Sequence, residues 1–153
     1  MAKTNKRKIT RIVLHCTATL PSATTDAILK GWRKLGWTSN GYHWIIDRFG
    51  IATRLQDDEL VSNGVKGHNS NSIHISYIGG MAKGKPQDTR TAEQKETLKM
   101  LVDEYLVKYP NAEVLGHRDL SPDLDNDGIV EPHEWVKSCP CFDVKKWLQD
   151  AKA

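Results

Sequence analysis

The sequence predicts one α/β domain, a central mixed β-sheet flanked by helices. Three observations lead there. Strand-like and helix-like segments alternate along the chain, the pattern of a sheet covered by helices. Residues 43–47 and 51–55 read as two strands joined through Arg48-Phe49-Gly50, a hairpin that requires at least one antiparallel pair in the sheet. The chain has 153 residues, 39% apolar and 27% charged, which suits a single soluble globular domain with its own core. We expect that domain over residues 9–150, behind a basic, frayed terminus at residues 1–8.

The elements follow in order. Residues 9–15 are rich in β-branched side chains and read as a buried strand. Residues 17–22 are a polar loop closed by Pro21. Residues 24–36 read as a helix: Ile28, Leu29, Trp32 and Leu35 form an apolar stripe, Thr24 or Thr25 caps it, and Asp26 favours its first turn. The hairpin comes next. Residues 72–78 are another strand, ended by Gly79-Gly80, and residues 83–88 read as a loop. Thr91 and Gln94 have the spacing of a capping box. Behind them Leu98, Leu101, Val102, Tyr105, Leu106 and Tyr109 give the clearest helical stripe in the chain, and Pro110 ends it. Residues 113–116 are a short strand that delivers His117. Residues 142–151 read as a terminal helix packing Val144, Trp147 and Leu148.

Several function classes drop out. The formal charge of +3 sits largely in the first eight residues, and no stripe of interleaved aromatic and basic residues accompanies it, so nucleic acid is not an expected partner. No apolar run is long enough to insert in a membrane. The basic start is followed by a strand-like run rather than a signal-peptide apolar region, so we expect synthesis and folding in the cytoplasm. Three cysteines argue against a disulfide framework. Cys16 follows His15 directly and on a strand points to the other face, which makes it a small buried residue. We expect a monomer.

The chemistry-bearing residues are His15, His117 and Cys139. Two imidazoles and a thiolate can hold one zinc ion and leave its fourth position open to water, the composition of a catalytic rather than a closed structural site. A lone histidine is more often a hydrogen-bonded structural residue, and His43, His74 and His133 take that reading. His15 and His117 differ because both stand at strand ends, where sites in α/β sheets gather, and because a Cys-Pro corner follows.

Five segments resemble, in order, the zinc-dependent type 2 N-acetylmuramoyl-L-alanine amidases, a family that includes phage amidase endolysins and shares its fold with peptidoglycan recognition proteins. They are Ile12-Val13-Leu14-His15-Cys16-Thr17-Ala18-Thr19, Gly41-Tyr42-His43-Trp44-Ile45-Ile46, Lys66-Gly67-His68-Asn69-Ser70-Asn71-Ser72-Ile73, Gly116-His117-Arg118-Asp119 and Lys137-Ser138-Cys139-Pro140-Cys141-Phe142-Asp143. The resemblance spans nearly all of the chain from Ile9 to Trp147. It implies that His15, His117 and Cys139 ligate Zn²⁺ and that Tyr42 and Lys137 are catalytic side chains. The implied reaction is hydrolysis of the amide between N-acetylmuramic acid and L-alanine, with peptidoglycan or muropeptides as partner. His68, Asn69 and Asn71 match a segment that lines the family's substrate groove, and they equally suit a tight loop held by side-chain-to-backbone bonds. Gly64 departs from the pattern: many members carry a histidine in that region.

A second signal lies between His117 and Cys139. Residues 123–134, read as an acidic insertion in the domain, match the calcium-loop pattern in full. Asp123, Asp125 and Asp127 supply carboxylates, Ile129 a carbonyl, Glu131 a water-mediated contact and Glu134 a bidentate carboxylate, with Gly128 at the sharp turn. So many carboxylates in so short a loop repel one another without a cation, which favours Ca²⁺ over a solvated acidic turn. The leading function is a phage-type lytic amidase that acts on the wall after release. The alternatives are a cytoplasmic muropeptide-recycling amidase and a peptidoglycan-binding module that does not cut.

Overall fold

The computed structural model describes residues 8–36, 40–62, 64–65, 69–121 and 139–152. Strand β1, Arg11–Cys16, is followed by helix α1, Thr25–Lys34, and the hairpin β2, Trp44–Ile46, and β3, Ala52–Arg54. Strand β4, Ser72–Tyr77, leads to two short strands, β5, Met81–Ala82, and β6, Lys85–Pro86. Helix α2, Ala92–Lys108, strand β7, Glu113–Gly116, a 3-10 turn at His117–Leu120 and helix α3, Val144–Lys152, complete the order.

The main sheet runs β3-β2-β4-β1-β7. Strands β2, β4, β1 and β7 are parallel, and β3 pairs antiparallel with β2. This is the mixed sheet that the alternation and the hairpin predict. Strand alternation then decides which face holds what. Ile12 and Leu14 of β1, Ile73, Ile75 and Tyr77 of β4 and Ile46 of β2 share one buried cluster with Leu98, Leu101, Val102 and Tyr105 of α2 and Val144 of α3. The opposite face carries Val13 and Leu115, which pack on Val65, together with the buried polar side chains of His15, His74 and Ser76. One face is thus sealed by apolar packing, and the other presents imidazoles.

The caps agree with the sequence. Thr24 caps α1 by accepting from Ala27 N at 3.1 Å, and Thr91 with Gln94 forms the capping box of α2. Gln94 does more than cap. Its Nε2 donates to the carbonyls of Ile46 and Ile78 at 3.2 and 3.0 Å, tying α2 to the ends of β2 and β4. Two expectations need correction. Helix α1 stops at Lys34, so Leu35 caps it and is 70% exposed instead of completing the stripe. Residues 83–88 are not simply a loop, because Lys85–Pro86 returns to pair with Met81–Ala82 across Lys83-Gly84.

Candidate metal centre and active site

Three elements converge at the ends of the parallel strands. His15 is the penultimate residue of β1, His117 opens the turn after β7, and Cys139 stands at the corner before α3. One ligand atom from each lies within 4.8 Å of the others. His15 Nδ1 is 3.9 Å from Cys139 Sγ, and the two imidazole centroids are 5.0 Å apart. Ligands of a tetrahedral zinc ion stand roughly 3.3–3.6 Å from one another, so a small contraction closes this donor set on the metal. Two nitrogens and a sulfur are also the borderline-soft donors zinc prefers.

Three bonds hold the Cys139 corner, and a fourth closes the turn beside it. Cys16 N donates to Cys139 Sγ at 3.1 Å, which fixes where the sulfur sits. Arg118 N donates to the Cys139 carbonyl at 2.8 Å, coupling the corner to the turn that carries His117. That turn is itself closed by Gly116 N donating to Asp119 Oδ2 at 2.8 Å. Tyr77 Oη donates to the Pro140 carbonyl at 2.6 Å from inside the core. Gly116 allows the approach: a Cβ there would meet Pro140 Cδ at 2.7 Å.

The Cys16 side chain points away from the imidazoles into the helix-side cluster, where its Sγ lies 4.0 Å from that of Cys141. A hydrogen bond with Cys139 and burial push the Cys16 thiol up to about 12, so it stays a neutral packing group.

Tyr42 reaches the site from the segment before β2. Its ring centroid is 5.0 Å from that of His15 and 5.4 Å from that of Trp32, so α1 holds it through its one buried side chain. Its hydroxyl donates to the Cys16 carbonyl at 3.3 Å. Burial, then the neighbouring Cys139 charge, pushes its pKa well above the ordinary phenol value. Tyr42 is therefore a hydrogen-bond donor at neutral pH and not a phenolate base.

The buried histidines that read as structural have sharper roles. His43 Nδ1 accepts from His74 N at 3.0 Å, while its Nε2 donates to the Leu60 carbonyl at 2.7 Å. His74 Nδ1 lies 2.8 Å from His15 Nε2, and His74 Nε2 lies 2.9 Å from Asn69 Oδ1. The sequence carried no signal for this link, because it depends on β1 and β4 lying side by side in one particular register.

Of the residues matched to a substrate segment, Asn69 spends its carbonyl oxygen on His74 and on Val65 N, the latter at 2.8 Å. Asn71 donates to the Lys8 carbonyl at 2.7 Å and pairs beside Thr10, five residues or roughly 16 Å along the strand from His15. Both side chains thus hold backbone or side-chain partners within the protein, and Asn71 lies toward the end of β1 away from His15. His68, Lys137 and the acidic residues Asp123, Asp125, Asp127, Glu131 and Glu134, with Ile129, lie outside the described residues.

A family model described as N-acetylmuramoyl-L-alanine amidase matches residues 5–140. The endolysin of Klebsiella phage KP32 is 35% identical over 151 residues, covering 95% of this chain and 89% of that protein. The endolysin of Escherichia phage T7 is 34% identical over 141 residues, covering 90% and 84%. The solved structure of N-acetylmuramoyl-L-alanine amidase LysC from Clostridium intestinale URNW superposes with a TM-score of 0.71 over 99% of this chain and 89% of that one. At 20% identity that likeness shows the fold.

Proposed function

The chain belongs to the N-acetylmuramoyl-L-alanine amidase family, and on that basis we propose that it is a phage-type enzyme that hydrolyses the amide joining N-acetylmuramic acid to L-alanine in peptidoglycan. One observation carries the reading to this chain's own residues. His15, His117 and Cys139, drawn from three separate elements, bring their ligand atoms within 4.8 Å of one another beside the half-buried Tyr42.

Zinc is the metal that suits this donor set, held by His15, His117 and Cys139. When bound, it supplies Lewis-acid polarisation and acidifies water toward a pKa of about 7. The protein does the rest. His15, in the sheet, and Cys139, pinned by Cys16 N, Tyr77 and Arg118, hold the donor set rigid. The Tyr42 hydroxyl stays protonated beside the same donor set, and once turned from the Cys16 carbonyl it can donate to the oxygen on which negative charge develops as the amide carbon becomes tetrahedral. Lys137, two residues before Cys139, is assigned the cation that stabilises the same charge. The complete loop pattern at Asp123, Asp125, Asp127, Ile129, Glu131 and Glu134 is the ground for assigning Ca²⁺ just before these residues. Isothermal titration with calcium reads that assignment: heat that vanishes in Asp125→Ala supports it, and absence of heat in the wild type removes it.

The test of the amidase reading is release of new L-alanine amino termini from purified cell walls. The enzyme produces them, loses the activity to a strong chelator and regains it with zinc. Retention on the wall with no new amino termini would make the protein a binding module. Cleavage of soluble muropeptides alone would point to recycling instead of lysis.

A further inference from the structure

We propose that His74 is a positioning residue that sets the tautomer of His15, with Asn69 as the fixed acceptor behind it and Gly64 leaving the room its ring needs. The inference rests on the reading of His15 as a metal ligand.

The chain of donors can be read from its far end. Asn69 Oδ1 accepts from a backbone N–H, that of Val65, at 2.8 Å. A backbone amide can only donate, so the side-chain atom facing it is the carbonyl oxygen, and the amide orientation is settled. The same oxygen lies 2.9 Å from His74 Nε2. An oxygen cannot donate, so His74 carries its proton on Nε2. With its proton on Nε2, the neutral ring of the fully buried His74 presents a lone pair at Nδ1. That nitrogen lies 2.8 Å from His15 Nε2. His15 Nε2 must therefore donate, and the lone pair of His15 falls on Nδ1, the atom 3.9 Å from Cys139 Sγ. A metal-binding imidazole needs its lone pair on the nitrogen that faces the ion and its proton on the other one. A loop backbone amide thus dictates, through two side chains, which nitrogen of His15 is offered to the site.

Gly64 leaves the His74 ring the space it occupies. A Cβ built there would collide with Nδ1, Cγ and Cε1 of the His74 ring. This chain lacks a side chain at the place where the ring that orients His15 is seated. The open space at Gly64 and the burial of the His74 ring are thus two sides of one packing arrangement.

Two measurements on the full chain test this. In the metal-free wild type, ¹⁵N-detected ring correlations should show His15 protonated on Nε2; a proton on Nδ1 overturns the proposal whatever the protein does with zinc. Zinc affinity, measured by competition with a chelator of known strength, should fall about 10–100-fold in His74→Leu. In His74→Asn, similar in shape to leucine but with a carbonyl oxygen near the position of Nδ1, it should stay within about threefold of wild type, consistent with a retained acceptor. Asn69→Leu, on the loop and outside the sheet, should lose affinity in the same direction, with Asn69→Asp restoring it. Equal affinity in His74→Leu and wild type overturns the proposal, and so does an equal loss in His74→Leu and His74→Asn. A wild type that binds no zinc fails at the earlier step, the ligand reading of His15, while the ring correlation still reports on His74.

Discussion

Removing one oxygen from Tyr77 tests whether the core holds the metal-binding corner in place. Tyr77 is fully buried among the helix-side residues of the sheet, and its hydroxyl donates to the Pro140 carbonyl at 2.6 Å, next to Cys139. Burial, followed by the nearby cysteines, raises its pKa far above the phenol range, so the donor is present at any working pH. Tyr77→Phe keeps the ring and its contact with Phe142, whose centroid is 6.3 Å away, and deletes only the donor. A net hydrogen bond contributes about 0.5–1.5 kcal/mol, and leaving a carbonyl without its donor in a dry site raises the cost to about 1–3 kcal/mol. For a domain of this size each kcal/mol moves the melting temperature by about 2–4 °C, so the variant should melt roughly 2–12 °C lower. Calorimetry of the metal-free protein reads this directly, and chelator competition should show weaker zinc binding as the corner loosens. A melting point within about 1 °C of wild type, with zinc affinity unchanged, would refute the argument that Tyr77 anchors the corner.

Tyr42→Phe should lower kcat by about 10²–10³-fold, the range for loss of one oxyanion donor, while zinc content by metal analysis stays at wild type. Lys137→Met should behave alike, and full turnover in both variants contradicts their assigned roles. Gly64→Ala should displace the His74 ring and weaken zinc binding in chelator competition; unchanged affinity with an unshifted ring in a crystal structure would show that the space is not needed. Asp58 gives a pH dependence. Burial works against its charge, but hydrogen bonds from Tyr105 and Lys108 and the charges of Lys108 and Arg54 prevail and hold its pKa below the usual value. Its contribution is therefore fully present above the unfolded carboxylate pKa of about 3.9 and is lost as pH falls through the lower folded value. Asp58→Asn should lie below wild type in denaturant midpoint at pH 7, with the gap narrowing below about pH 4; a gap that is constant with pH would contradict the ion-pair account.

What the sequence revealed was local. The capping box at Thr91 and Gln94, the stripe of α2 and the strand that delivers His117 all depend on neighbours within a few residues, and each has its counterpart in the structure. Strand alternation also separated His15 from Cys16, which the structure places on opposite faces of β1. What stayed hidden was set by register and by distance along the chain. Leu35 fits the stripe of α1 by spacing alone, yet the helix ends before it. The β5–β6 hairpin turns on polar residues and shows no strand alternation. His74 looked like any core histidine, because its bond to His15 spans 59 positions and exists only in the observed pairing of β1 with β4. Asn69 and Asn71 share one polar segment, but Asn69 bonds the His74 ring while Asn71, just before β4, bonds the Lys8 carbonyl at the end of the strands away from His15, a difference that composition does not encode.

The most direct measurement is an anomalous diffraction map collected at the zinc absorption edge on crystals of the full chain grown with zinc. The account predicts one peak bonded to His15 Nδ1, His117 and Cys139 Sγ, with Tyr42 beside it. A peak bonded to His15 through Nε2, or zinc bound elsewhere with these three side chains unligated, would contradict it.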